Sequence, residues 1–213
     1  MVKKLESILD LLRAFSEINK SYSIKEVGKK IGLSYQPIYT YLKRLASRGI
    51  LKHTKEGNIH LYRLNLQNPF VIRELENIEF KRNQQIIESL KPKYKKAIKE
   101  ALSQAQEKTP LLSAILFGSL ARKTSTEVSD VDIFFVVSEI NKNSEKIKRI
   151  CNTLNMQYNV KISPIVVSLQ EFRKMLLERE TFIQNLMKEK IILSGTEFYF
   201  AELIKSMKEL KWI

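Results

Sequence analysis

The fold of this chain is decided by the stretch Leu111-Leu112-Ser113-Ala114-Ile115-Leu116-Phe117-Gly118-Ser119 and by its neighbour Ser129-Asp130-Val131-Asp132-Ile133-Phe134-Phe135-Val136-Val137. Each contains a short apolar run, which is typical of a buried strand. The first run ends in Gly-Ser, and the second opens with two aspartates spaced two apart. Because side chains two apart in a strand share a face, Asp130 and Asp132 are predicted to lie side by side.

The two aspartates indicate a cation site. Two like charges at the edge of a buried strand repel each other and lose hydration, so they need a compensating cation, and Mg²⁺ is the obvious candidate. The turn at Gly118 and Ser119 offers backbone N–H groups to a phosphate. A metal beside a phosphate cradle predicts a nucleotidyl-transfer site. The alternative is a hydrogen-bonded turn leading into the strand, which explains Asp130 more easily than Asp132.

The composition describes a globular protein of about two domains. The chain has 213 residues, of which 44% are hydrophobic and 28% charged, and these values exclude a disordered chain. No apolar run approaches the roughly eighteen residues of a membrane span, so no membrane partner is expected. The single cysteine, Cys151, excludes an intramolecular disulfide and predicts a cytoplasmic location.

The net charge of +14 is concentrated in the N-terminal third of the chain. Residues 1–67 hold 13 basic and 5 acidic side chains, a net charge of +8, whereas residues 68–213 hold 24 and 18, a net charge of +6. This asymmetry favours a polyanionic partner for the N-terminal part. The alternative is a lysine-rich proteome in which every protein is basic.

Residues 1–67 are predicted to form three helices and a basic hairpin. Apolar residues at helical spacing indicate helices over 5–15 and 24–31, and a third from a cap at Ser34 to about Arg48. The segments Ile50–Thr54 and Ile59–Leu64 then flank a turn signal. This order resembles the winged helix-turn-helix domain of microbial transcription regulators.

The third helix and the hairpin form the predicted DNA-reading surface. Tyrosine, glutamine, lysine and arginine side chains suit base edges and phosphates in the major groove. The predicted contacts to double-stranded DNA are Tyr35, Gln36, Tyr39, Lys43, Lys55 and Arg63. The other interpretation of such a domain is a protein-docking or dimerisation module. His53 and His60, on opposite arms of the hairpin, are interpreted as groove or surface residues rather than metal ligands.

Residues 68–108 are predicted to form a helical connector after the break at Asn68-Pro69. One helix is expected from Phe70 to about Leu90, and a second from Pro92 to the break at Thr109-Pro110. A long, partly apolar helix suits a dimer seam in a protein that reads a two-fold DNA site, so a homodimer is predicted. Packing of the helix on its own C-terminal domain is the equal alternative.

The C-terminal part alternates strands with helices, which places the whole chain in the α+β class. Buried strands are expected over 112–117, 133–137 and 160–168. Helices are expected over 143–158, 171–190 and 198–211.

The pattern of Gly118-Ser119, ten residues and then Asp130-Val131-Asp132 resembles the signature of the DNA polymerase beta nucleotidyltransferase superfamily. The fit is closest to the minimal nucleotidyltransferases of bacteria and archaea. The resemblance implies that residues 109–213 form a nucleotidyltransferase fold, a small mixed sheet with flanking helices. It also implies a nucleoside triphosphate, expected to be ATP, as substrate or ligand.

The resemblance also assigns roles to residues of this chain. Gly118 and Ser119 would bind the triphosphate, and Arg122 or Lys123 would neutralise the pyrophosphate leaving group. Asp130 and Asp132 would hold Mg²⁺ as the catalytic residues, aligning an acceptor hydroxyl with the α-phosphorus.

One expected residue of the family is missing. Active members usually carry a third carboxylate on the next strand, but Asn159–Val167 contains neither Asp nor Glu, and Ser163 stands about where the acid would fall. Glu127 and Glu171 are near in sequence and are the candidates to replace it.

Two functions follow from these features. The first is a DNA-tethered nucleotidyltransferase that moves a nucleoside monophosphate from a triphosphate to a hydroxyl acceptor. That acceptor is a small molecule or a toxin-like protein partner, since small antitoxins of this family modify a toxin with AMP. The second is a transcription regulator whose C-terminal domain is catalytically silent or only senses nucleotide. The enzyme is the preferred interpretation.

Overall fold

A computed structural model describes residues 8–15, 18, 20–126 and 129–210 of the protein. They divide into two units, one up to Ile78 together with Leu210, and one from Glu79 to Glu209. Both units combine helices with a small sheet, so the predicted α+β class is confirmed. Leu5 and Glu127 lie outside the described residues. Within the described part of the chain, no helix is long and apolar enough to cross a membrane.

The N-terminal unit contains three helices and a three-stranded antiparallel sheet, followed by the first part of a long helix. Its elements are α1 (Ile8–Ala14), β1 (Tyr22–Ser23), α2 (Ile24–Ile31), α3 (Tyr35–Ser47), β2 (Leu51–Glu56), β3 (Ile59–Leu64) and the start of α4 (Pro69–Ser89). The strands lie in the order β1-β3-β2. The helices and the hairpin agree with the prediction, whereas the two-residue strand β1 is too short to leave a periodic pattern.

Local sequence signals explain where the helices of this unit begin. Ser23 and Glu26 form a reciprocal capping box at the start of α2. Ser34 occupies the cap position of α3, but its hydroxyl makes no capping hydrogen bond. The inner face of α3 is buried through Ile38, Leu42 and Leu45, as its spacing predicts.

The C-terminal unit is built on a four-stranded mixed sheet. After the end of α4, its elements are α5 (Pro92–Lys108), β4 (Leu111–Phe117), α6 (Gly118–Arg122), β5 (Val131–Val137), α7 (Asn141–Tyr158), β6 (Ile162–Ser168), α8 (Leu169–Glu178), α9 (Thr181–Glu189), β7 (Ile191–Ser194) and α10 (Thr196–Glu209). The strand order is β6-β5-β4-β7. The β5–β6 pair is parallel and the other two pairs are antiparallel.

Strand β5 is covered on both faces, as its unbroken apolar run predicts. Alternate residues beginning at Val131 join the core formed with α5 and α7. Phe134 points to the other face, where its ring contacts Phe172 of α8 and Phe182 of α9. Asp132 therefore shares its face of the sheet with Phe134.

Two features of the C-terminal unit differ from the prediction. The single helix expected over 171–190 is two helices, because the chain takes a left-handed conformation at Arg179 (φ 53°) and α8 ends there. The strand β7, which follows α9, was not predicted. Its apolar residues, Ile191–Leu193, are too few to be distinguished from the end of a helix by periodicity alone.

The predicted connector does not form a separate layer. Helix α4 continues unbroken past Ile78, where the division between the units falls. Helix α5 buries Tyr94, Ala97 and Ala101 in the core of the C-terminal unit. The domain boundaries placed at 67–68 and 108–109 stay predictions. The dimer seam stays a prediction.

Candidate functional site

Asp132 lies at the edge of the sheet where β4 ends and β5 begins. It is the second residue of β5, pairs with Phe117 across the antiparallel ladder and is half-buried. Burial raises the pKa of the Asp132 carboxyl, and the negative charge of Asp130 raises it further. Such a carboxylate gains from a nearby cation, because a cation offsets both causes.

Asp130, immediately before β5, is held from the neighbouring strand. Lys161 Nζ lies 2.5 Å from Asp130 Oδ2, and the Ser163 hydroxyl donates to the same oxygen at 3.3 Å. The hydrogen bond from Lys161 and the charge of Asp130 raise the pKa of the lysine. Asp130 and Asp132, at the start of β5, thus lie beside Lys161 and Ser163, at the start of β6.

Gly118 fits against the Asp132 carboxylate. Its φ of 72° lies in the left-handed region, and a Cβ atom there would overlap Asp132 Oδ2. Only glycine meets both requirements at this turn. The turn passes directly into α6, so Gly118 and Ser119 stand next to the carboxylate face, as the spacing of the motif predicts.

The two predicted phosphate-binding cations lie at the end of α6. Arg122 Nη1 is 2.7 Å from Glu189 Oε2, and both side chains are partly exposed. Lys123 ends α6 in a left-handed conformation (φ 60°) and is exposed. Arg122 is therefore near the Gly-Ser turn but is paired with the last residue of α9.

The donor set fits one divalent cation. Asp130 and Asp132 supply carboxylate oxygens, the ligands that Mg²⁺ prefers, and the ammonium on Asp130 shows that this position accepts positive charge. Across residues 8–15, 18, 20–126 and 129–210, no three His, Cys, Asp or Glu side chains are grouped so as to hold a metal ion.

Ser163 is the residue predicted to stand where the family usually has a third carboxylate. In the parallel ladder Ser163 pairs with Asp132, which agrees with its predicted place. Glu171 does not replace the acid, because its carboxylate caps α8 through Ser168 at 2.7 and 2.8 Å. Ser168 pairs with Val137, five residues along β5 from Asp132, which is roughly 16 Å at the usual rise of a strand.

Two residues of the site escaped prediction, Lys161 and Glu189. A signal for Lys161 exists, because Lys161 and Ser163 have the same spacing as Asp130 and Asp132. Parallel pairing places Ser163 opposite Asp132, so Lys161 two residues earlier lies within reach of Asp130. No comparable signal exists for Glu189, because its contact with Arg122 joins residues 67 positions apart.

The predicted DNA-reading side chains of α3 lie on its outer face. Tyr35, Gln36 and Lys43 are exposed, and Tyr39 is half-buried. The Tyr35 and Tyr39 rings stack with centroids 6.2 Å apart, and Tyr39 also contacts the ring of His60 on the hairpin at 6.0 Å. The helix and the hairpin thus share one exposed surface.

The hairpin divides its predicted contacts between two faces. Lys55 pairs with His60 near the turn and is exposed. Arg63 pairs with Lys52; three positions from His60, it lies on the opposite face of the ladder and is half-buried. Its place in a DNA contact stays a prediction. The His53 and His60 rings are joined by a 2.8 Å hydrogen bond.

Known proteins match both halves of the chain. Residues 4–110 match the family described as penicillinase repressor, and residues 96–197 match the family described as polymerase beta, nucleotidyltransferase. A protein of Methanocaldococcus jannaschii, "Putative protein adenylyltransferase MJ0141", is 39% identical over 84 residues. That alignment covers 38% of this chain and 79% of the relative.

A solved structure, "Crystal structure of the toxin-antitoxin with AMP-PNP", is 16% identical and covers 55% of this chain and 86% of its own. Its TM-score of 0.38 is too low to bear on fold or function. The sequence resemblances are confirmed by the family matches. This chain belongs to the penicillinase repressor family through its winged-helix half, and its C-terminal half is a nucleotidyltransferase domain of the polymerase beta family.

Proposed function

We propose that the protein transfers a nucleoside monophosphate from a nucleoside triphosphate, expected to be ATP, to a hydroxyl acceptor in a Mg²⁺-dependent reaction. The observation that carries this proposal is the fit of Gly118 against the Asp132 carboxylate. It puts a glycine turn suited to phosphate directly beside a carboxylate suited to a metal. A turn that served only to connect β4 to α6 would not need this close approach to Asp132.

The residues of the chain have distinct tasks in such a transfer. The acceptor oxygen bonds to the α-phosphorus while the bond to the bridging oxygen breaks, pyrophosphate leaves, and the hydroxyl proton passes to water. Gly118 and Ser119 bind the triphosphate, and Arg122 and Lys123 neutralise the pyrophosphate charge. A bound Mg²⁺ would supply charge stabilisation at the phosphate oxygens. Asp130 and Asp132 would hold this ion in position.

A protein is the acceptor we favour. The Methanocaldococcus jannaschii relative, 39% identical over 84 residues, is named as a protein adenylyltransferase. We therefore infer that AMP is the transferred group. Its target is a hydroxyl side chain of a partner protein, which the sequence predicts to be toxin-like. A small-molecule acceptor is the competing outcome.

Transfer is tested by incubating the full chain with α-labelled ATP, Mg²⁺ and candidate acceptors, including lysate proteins of the source organism. Asp132→Ala is expected to lower incorporation about 10³-fold, since metal-held charge is worth several kcal/mol of barrier. Glu139→Ala removes an exposed carboxylate just beyond the other end of β5 and should change nothing. Equal incorporation by Asp132→Ala and the parent would remove the assigned site.

We infer that the winged-helix half binds double-stranded DNA and that the protein acts as a homodimer in the cytoplasm. The exposed side chains of α3 and the net charge of +8 in residues 1–67 support DNA as the partner. The match to a repressor family supports transcription regulation. Size-exclusion chromatography with light scattering, with and without DNA, tests the dimer.

A regulator with a silent nucleotidyltransferase domain is the second candidate. Ser163 favours it, because a hydroxyl supplies no negative charge where active relatives usually have an acid. This alternative predicts ATP binding without incorporation for any acceptor. Calorimetric titration with ATP, run beside the incorporation assay, separates the two functions.

A further inference from the structure

A charged side chain of the protein itself already lies on the metal-binding face. Lys161 contacts Asp130 Oδ2 at 2.5 Å, and Ser163 donates to the same oxygen at 3.3 Å. Lys161 immediately precedes β6 and Ser163 is the second residue of that strand, which runs parallel to β5 and pairs Ser163 with Asp132. An ammonium and a hydroxyl thus stand on the strand where active relatives usually place an acid.

The charges of these side chains determine how many cations the site accepts. Three carboxylates would carry a charge of −3, which suits two divalent ions. Asp130, Asp132 and Lys161 together carry −1, so one divalent ion already reverses the sign of the site. A second ion would lie beside both the first ion and the Lys161 ammonium, where the three positive charges repel one another.

We propose that Lys161 takes the place of a second divalent ion, so that this nucleotidyltransferase site uses one ion, held by Asp132 and Asp130, with the lysine ammonium beside it. The inference rests on the proposed function, because it concerns the same site. The Lys161 side chain is 70% exposed, so its ammonium is accessible from solution to a triphosphate or an acceptor. Lys161 is thus a charge-compensating residue and Ser163 its neutral neighbour.

Counting bound Mn²⁺ on the full chain tests this directly. Mn²⁺ shares the oxygen ligands of Mg²⁺, and the electron paramagnetic resonance signal of the free ion gives the number bound. We expect one Mn²⁺ per chain for the parent protein and for Lys161→Arg. Lys161→Met should still bind one ion, roughly two- to fivefold more tightly, since an exposed ion pair contributes modestly. The double variant Lys161→Met with Ser163→Asp should bind two.

The control and the transfer assay make the test decisive. Lys148→Met removes an exposed lysine of α7 and should leave Mn²⁺ binding unchanged. Two ions on the parent protein, or unchanged affinity in Lys161→Met, would overturn the proposal. So would faster nucleotide transfer by Lys161→Met, since the proposal expects slower transfer despite tighter binding. A failure of the proposed function can be told apart from a failure of this proposal. One bound Mn²⁺ without any transfer supports the one-ion site and contradicts only the reaction.

Discussion

The winged-helix surface and the nucleotidyltransferase site differ in whether their charged side chains are paired within the protein. Among the described residues, neither Lys43 on α3 nor Lys55 on the hairpin has an acidic partner. At the nucleotidyltransferase site, Asp130 is paired with Lys161 and Arg122 with Glu189. The lysines of the first surface are available to a polyanion, whereas the paired residues of the second must break ion pairs within the protein before they can bind a ligand. The domains are therefore expected to respond differently to the removal of single charges.

A large loss of activity is expected where the site depends on shape rather than on exchangeable charge. Gly118→Ala places a Cβ atom against the Asp132 carboxylate at a positive φ. Displacement of this carboxylate should lower nucleotide transfer about 10²-fold, as misplacements near 1 Å do. The measurement is incorporation of α-labelled nucleotide, with the free energy of unfolding determined in parallel.

Gly57→Ala provides the matched control for this substitution. Gly57 also has a positive φ, 57°, but an added Cβ would meet no atom within 4 Å. It should cost about 1–2 kcal/mol of stability through backbone strain and leave transfer intact. Similar activity losses in both variants would attribute the effect to strain alone.

The free lysines of the winged helix come next. Lys43→Ala and Lys55→Ala should each weaken DNA binding roughly tenfold at 0.1 M salt and lower the slope of log affinity against log salt by about 1. Fluorescence anisotropy over a salt series measures both quantities. Lys148→Ala makes the same charge change in the C-terminal unit and should affect neither. Unchanged slopes for both DNA-surface variants would indicate that this face does not contact phosphate.

Removing the acidic partner of Arg122 tests the role of ion pairs at the nucleotidyltransferase site. Glu189→Gln removes the partner of Arg122, so the arginine becomes as available as Lys43. ATP affinity, measured calorimetrically, should rise about two- to fivefold, because an exposed ion pair contributes up to about 1 kcal/mol. Glu145→Gln, in the exposed Arg149–Glu145 pair of α7, should leave the affinity unchanged. A weaker affinity in Glu189→Gln would mean that Glu189 positions Arg122 for the nucleotide.

These differences mark what the sequence could predict. The strand–Gly-Ser–strand pattern specified Gly118, Asp132 and their proximity, because period-two alternation and a fixed motif spacing are local information. The starts of α2 and α3 and the buried stripe of α3 followed from equally local signals, although the Ser34 hydroxyl makes no capping hydrogen bond. The neutral Ser163 was located by counting along a strand.

Contacts between distant elements could not be predicted in the same way. The Arg122–Glu189 pair depends on where α9 ends, and that depends on the break at Arg179. The position of Lys161 could in principle be predicted, since it follows from parallel pairing of β5 and β6. The sequence pattern drew attention only to Ser163, where an acid was expected. The sequence could not distinguish a dimer seam from packing of the connector on the C-terminal domain, because a buried helix face looks the same whichever surface covers it.

The smallest expected effect is on the free energy of unfolding, which the half-buried Asp132 carboxylate lowers when no cation is bound. Burial, followed by the charge of Asp130, raises the pKa of Asp132 above its usual value. Between the unfolded and folded pKa values the folded state binds more protons, so stability falls as pH rises through that window. At neutral pH and without metal, Asp132→Asn should therefore raise the melting temperature slightly while it abolishes transfer.

The pH dependence separates this electrostatic cost from a packing effect. Below about pH 4, the usual aspartate range, the carboxyl is protonated in both states and the advantage of Asp132→Asn should disappear. Thermal unfolding in EDTA across pH 3–8 measures the difference, with Glu139→Gln as the exposed control. A gain that persists at low pH would come from packing, whereas a gain that follows the titration shows that the site gives up stability to bind a cation. No such gain is expected for Lys43 or Lys55, which are exposed and have no acidic partner among the described residues.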